Sequence, residues 1–141
     1  MDFRRPESVL VVVYTSQLQC LLLERVSPVG FWQSITGALE WGETPYDAAI
    51  RELGEETGLA HDGLADAQIQ RSFPILPQWR SKYAPGVAQN VEHRWYLELP
   101  EQQSIELNSD EHIAHAWAPL EEAIRKVSSW TNREALESLR P

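Results

Sequence analysis

Residues 9–14, VLVVVY, form an unbroken apolar run in which four of the six side chains are valine. Side chains on a strand alternate between two faces, so a strand that is apolar at every position needs cover on both. The run therefore reads as a strand buried on both faces of a sheet. At 141 residues the chain has the size of one domain, large enough to bury a core without disulfide or metal staples. Other segments fit around this strand. Cys20–Leu23 is a second apolar run, separated from the first by a polar turn through Ser16 and Gln17, which predicts a hairpin or neighbouring strands. Phe31–Thr36 is a third, short strand ending at Gly37, and Ala67–Phe73, Val91–Leu99 and His115–Ala118 are three more. Helical stretches are expected at Leu120–Val127 and Asn132–Leu139. The segment PILPQWRSKYAPGV (74–87) is too elaborate for a minimal hairpin turn, and long loops within compact domains are often functional. With no internal repeat, linker or low-complexity tract, residues 1–141 read as one α/β domain.

The best-marked helix runs from Pro45 to Thr57. Thr44 is placed as its N-cap, Pro45 occupies the first helical position, Asp47 stands where the acid of a capping box belongs, and Gly58 supplies the left-handed terminator. On a wheel of 100° per residue, Tyr46, Ala49, Ile50, Leu53 and Thr57 share one arc, expected to pack on the sheet. Glu52, Glu55 and Glu56 share another, at the i, i+3, i+4 spacing that makes side chains neighbours. Like charges at this spacing destabilise a helix by roughly 0.2–0.5 kcal/mol per pair, and a solvated acidic face is the ordinary explanation. Two features point instead to a metal site. Arg51 lies one turn before Glu55 and is able to orient it, and the glycine-containing loop 37–43 precedes the helix and can return the backbone to the acidic face. Clustered hard oxygen ligands suit Mg²⁺, which shares its shell with water and substrate phosphates.

Composition narrows the choice of substrate and compartment. A formal net charge of −9 argues against a nucleic-acid polymer as partner, while leaving room for a small anion bound through a divalent metal. Cys20 is the only cysteine, which rules out an intrachain disulfide. It sits in an apolar run as a core residue and fits a reducing, cytoplasmic location. The apolar run after Arg4 and Arg5 is too short for a signal-peptide core, and no stretch approaches the ~20 residues of a membrane span, so neither export nor a membrane partner is expected. His93, His112 and His115 do not make a zinc set. Oligomeric state has no signature in the sequence.

Residues 37–59, GALEWGETPYDAAIRELGEETGL, resemble a complete Nudix box: glycine, five residues, glutamate, seven residues, then Arg-Glu-aliphatic-any-Glu-Glu-any-Gly-aliphatic. Gly37, Glu43, Arg51, Glu52, Leu53, Glu55, Glu56, Gly58 and Leu59 fill every specified position. With each fixed residue type at about 6% usage, a chance match in one register is on the order of one in 10⁹. The resemblance implies an α/β/α sandwich with a mixed central sheet, and Mg²⁺- or Mn²⁺-dependent hydrolysis of a diphosphate linkage. It implies Glu52 and Glu56 as metal ligands, Glu55 as a further ligand or the base that activates water, Arg51 as an orienting residue, and a backbone carbonyl near Gly37 in the metal shell. The flanks FRRPESVLVVVY (3–14), FWQSITGALEWGET (31–44), YAPGVAQNVEHRWY (83–96) and SSWTNREAL (128–136) are similar to one branch, the bacterial dihydroneopterin triphosphate diphosphatases of folate synthesis. That likeness implies a small-molecule triphosphate substrate and a further metal ligand at Glu111. It also implies substrate contacts at Arg4, Arg25 and Ser129, with Trp32 and Thr36 facing the pterin pocket. Two other readings stand beside it: a hydrolase of ordinary or oxidised purine nucleoside triphosphates, and a non-enzymatic nucleotide-sensing module. The module reading sits poorly with a full set of box glutamates.

Overall fold

The computed structural model describes residues 2–141. Its centre is strand β1 (Glu7–Thr15), buried along almost its whole length. On one edge β6 (Gln89–Leu99) runs parallel to it, from Glu7 opposite Val91 to Thr15 opposite Leu99. On the other edge the short β4 (Ile35–Ala38) pairs antiparallel with Ser8–Val11. The expected hairpin with β2 (Gln19–Arg25) forms but opens at once, since the two strands pair only at Tyr14 and Cys20. β2 then turns to β3 (Trp32–Gln33) and β7 (His112–Pro119). β5 (Ala65–Pro74) closes the far edge against β6, with a bulge at Gln68. The result is a mixed seven-stranded sheet.

Helices cover both faces. Val9, Val11 and Val13 pack with Ala48, Ala49 and Leu53 of α1 (Pro45–Thr57). Leu10 and Val12 pack with Ala123 and Ile124 of α2 (Leu120–Lys126) and Ala135 and Leu136 of α3 (Trp130–Glu137). This α/β/α sandwich is what the continuous apolar run of β1 demands, because each buried Val or Leu contributes about 1.5–3 kcal/mol only when its own face is covered.

Three expectations change in the structure. The third strand is two pieces, β3 and β4, because the Ser34 N–H donates to Asn132 Oδ1 (2.8 Å) and leaves the ladder to tie the sheet to α3. The second piece continues through Gly37 to Ala38. Of the terminal helices, the first starts at Leu120 as predicted and ends one residue early, and the second lies two residues earlier than predicted. The larger change is in α1, whose buried residues are Ala48, Ala49, Glu52, Leu53, Glu56 and Thr57, while Tyr46 is 45% exposed and Ile50 only half-buried. The helix is rotated so that two of its three clustered glutamates face inward.

Both ends of α1 are capped as the sequence predicts. Thr44 Oγ1 accepts from the Asp47 N–H (3.1 Å), and Gly58 adopts φ 74°. Among the described residues no helix is long and apolar enough to cross a membrane. Thr44→Ala should lower unfolding free energy by about 1 kcal/mol, read as a lower urea midpoint at unchanged m-value.

Candidate active site

The box loop and α1 meet at Gly37. A Cβ built there would lie 2.1–2.5 Å from the carboxylate atoms of Glu52, so only glycine permits the approach. Arg51 holds the loop to the helix. Its Nε and Nη2 donate to the two carboxylate oxygens of Glu43 (2.9 Å each), Nη2 donates also to Ala38 O (3.0 Å), and Nη1 donates to Glu52 Oε1 (2.8 Å). The expected pairing with Glu55 is a minor contact at 3.4 Å, since Glu55 is 53% exposed and the guanidinium fork is already filled by Glu43 and Glu52. Hydrogen bonding to Arg51 holds the Glu43 carboxyl below its ordinary range. Burial pushes Glu52 up to about 7, with Arg51 pulling the other way and Glu56 and Glu55 adding repulsion.

Glu56 is 1% exposed, and neither of its oxygens has a hydrogen-bond partner among the described residues. His112 Nδ1 lies 2.7 Å from Oε2, outside the angles of a directed hydrogen bond, while Gln33 Nε2 meets the other ring nitrogen at 3.1 Å. Glu111 stands beside Glu56. Burial raises its carboxyl, and the neighbouring Glu56 raises it further. It arrives there on the connection from β6 to β7, which is pinned to the end of α1 by Glu106 N–H to Thr57 O (2.9 Å). Two sets of candidate ligand atoms follow, Glu52–Glu55–Glu56 and Glu56–Glu111–His112, each lying within 4.8 Å of one another and sharing Glu56. A buried carboxylate with no donor is costly unless a cation meets it. Hard oxygen donors of this number fit a divalent ion of the Mg²⁺ or Mn²⁺ type.

Of these groups, Glu52, Glu111 and His112 line a cleft of about 1300 Å³, together with Gly37, Arg51 and Ser129–Asn132. Arg4, Arg25, Thr36 and Ser129, all singled out from sequence, line it. The Arg25 guanidinium sits 5.8 Å from the ring centroids of both Phe31 and Trp79, and Ser129 also caps α3 by accepting from the Asn132 N–H (3.1 Å). Trp32 corrects the sequence expectation. It packs against the α2–α3 core with Lys126 4.3 Å over its ring and does not line the cleft. The reason is strand alternation: Gln33, its neighbour, takes the cleft-facing place.

Sequence reasoning missed Gln33, His112 and Glu92. No spacing rule links them to the box, although alternation around Trp32 would have flagged Gln33. Trp79 lies in the long segment 74–87, which includes a 3₁₀ turn over Pro77–Lys82.

In metal-free protein, the raised Glu52 carboxyl makes a contribution to stability that is complete below about pH 4.5 and lost as pH rises through about 7. Melting temperatures measured in chelator should therefore fall between pH 5 and pH 8, and Glu52→Gln should flatten that fall. Gly37→Ala, by displacing the Glu52 carboxylate, should weaken divalent-metal binding by about 10–100-fold in titration calorimetry.

Comparison with known proteins agrees with this geometry. The NUDIX domain model matches residues 4–139. Dihydroneopterin triphosphate diphosphatase of Escherichia coli K12 is 39% identical over 140 residues, covering 96% of this chain and 92% of the relative. The Haemophilus influenzae protein of the same name is 38% identical, covering 97% and 89%. The solved structure of the E. coli dihydroneopterin triphosphate pyrophosphohydrolase superposes with a TM-score of 0.89 at 38% identity, over 99% of this chain and 97% of that one. With the box, the sandwich and a match over nearly its full length in agreement, the chain belongs to the Nudix family and is a hydrolase acting on diphosphate bonds.

Proposed function

We propose that residues 1–141 act as one catalytic domain that converts 7,8-dihydroneopterin triphosphate to dihydroneopterin monophosphate and pyrophosphate, using Mg²⁺, in the cytoplasm. The observation that carries the chemistry is the buried carboxylate of Glu56, shared by two candidate ligand sets whose Glu52, Glu111 and His112 line a large cleft. Near full-length identity with diphosphatases of that name supports the substrate.

In this reading Glu52, Glu56 and Glu111 hold the metal, with the backbone at Gly37 close by. When bound, Mg²⁺ neutralises phosphate oxygens and lowers the pKa of coordinated water. Arg51 keeps Glu52 aimed at the cleft by holding one of its oxygens. Glu55, the most exposed of the three and only loosely tied to Arg51, serves as a further ligand or takes the proton from the attacking water. His112 braces Glu56 and is itself held by Gln33. Arg4 and Arg25 meet the phosphates remote from the metal, and Thr36 and Ser129 contact the organic part of the substrate. Phe31 and Trp79 supply aromatic faces near Arg25.

Pyrophosphate release from dihydroneopterin triphosphate, run beside a panel of nucleoside triphosphates, tests both parts. The pterin should be preferred, and chelation should abolish turnover. Glu56→Gln should lower kcat by at least about 100-fold, the upper end of what an outer-shell partner is worth. Better turnover of a purine nucleotide would replace the substrate while leaving the mechanism in place.

A further inference from the structure

One buried acid in the cleft belongs to neither candidate ligand set. Glu92 lies on β6, is 6% exposed and lines the cleft. Strand alternation puts it on the same face of the sheet as Asn90 and Arg94 of its own strand, beside Ser8 of β1, which stands opposite it in the ladder. Its surroundings leave it short of donors. Arg94, two residues along, gives Nη2 to Glu134 (2.5 Å). The Asn90 amide gives Nδ2 to Ser8 Oγ (2.8 Å). The Thr131 hydroxyl is paired with Ser129 Oγ (3.0 Å), and it and the Arg94 charge act on Glu92 only by opposing the effect of burial. A carboxylate offers about four acceptor positions, and Glu92 brings them to the lining of the cleft. Burial raises its pKa accordingly.

A carboxylate cannot face the phosphates of a substrate at this spot, because the repulsion is strong where water is excluded. Glu92 must therefore face the uncharged part of a triphosphate whose phosphates lie at the Glu52–Glu111 side. We infer that Glu92 reads the heterocycle, accepting paired N–H donors from the 2-amino-4-oxo-pyrimidine edge that pterin and guanine share. That edge presents a ring N–H and an exocyclic amino group side by side, matching two carboxylate oxygens as an arginine fork does. Adenine presents a bare ring nitrogen in place of the ring N–H, and its lone pair meets the carboxylate unfavourably. Glu92 is thus a specificity-determining residue, and its role rests on the reading of the site as a triphosphate hydrolase for such a ring.

The test compares kcat/KM for dihydroneopterin triphosphate, GTP, ITP and ATP with Mg²⁺, in wild-type protein and Glu92→Gln. Poor nucleotide substrates are ranked by their inhibition constants against the pterin. ITP keeps the ring N–H but lacks the 2-amino group, so wild type should favour GTP over ITP by about tenfold or more, since a buried polar group left unpaired is costly. In Glu92→Gln the KM for pterin and GTP should rise about tenfold or more with kcat changed less, and the GTP:ITP ratio should collapse toward one. An unchanged GTP:ITP ratio, or an equal loss on all four substrates, would overturn the proposal. If the variant fails to fold, equal handling of GTP and ITP by wild type would overturn it alone. Wild-type preference for GTP over the pterin would remove the pterin reading and leave the role of Glu92 standing. Pterin preference with an unaltered ratio in the variant would do the reverse.

Discussion

Every layer of the molecule depends on the burial of β1 from both sides. Its odd-numbered valines can leave water only under α1, and Leu10 and Val12 only under α2 and α3. The strand also fixes what lies beside it, with β6 parallel along one edge and β4 along the first half of the other. β4 carries Gly37, α1 carries Glu52, and the even-numbered face of β6 carries Glu92. The catalytic box and the far wall of the cleft are therefore held at set distances by one strand that contributes little chemistry of its own.

Against that rigid background the acidic arc of α1 makes physical sense. A helix with three neighbouring glutamates would be expected to turn them to solvent, where repulsion is screened. Here Glu52 and Glu56 are turned inward, toward β4 and the β6–β7 connection. Arg51 offsets part of the repulsion by binding Glu43 and Glu52 together, and His112 stands against Glu56. What they leave is excess negative charge in a partly desolvated place, an arrangement that strengthens the binding of a small divalent cation and gives the site its affinity for phosphates through that ion. Arg25 and Arg4 provide positive charge elsewhere on the same cleft.

Much of the framework was legible because local physics writes it locally. The α1 boundaries follow from Thr44, Pro45 and Gly58, whose capping roles depend on backbone geometry within a few residues. Strand runs at Val9–Tyr14 and Val91–Leu99 follow from apolar content. The inward turn of Glu52 and Glu56 departs from the wheel, because a wheel sorts residues by polarity and does not see the partners, Arg51 and His112, that stand against these carboxylates. Trp32 was misplaced for a related reason. A large aromatic next to the box invites a stacking role, yet a two-residue strand exposes only one neighbour to the cleft, and that neighbour is Gln33.

By itself the sequence determined an α/β domain and the helix that holds the spaced glutamates, since periodicity and caps encode these within short windows, while the sandwich and the reaction followed from the resemblance of residues 37–59 to a Nudix box. Glu111 was already singled out by the branch resemblance, and only the tertiary structure decided how it and other distant residues meet beside the box. Glu111 and His112 reach Glu56 across a connection pinned to the end of α1, Gln33 reaches His112 from β3, and Glu92 reaches the cleft floor from the strand parallel to β1. These encounters join positions separated by tens of residues. They are set by sheet register and by the burial of β1, which no local pattern records.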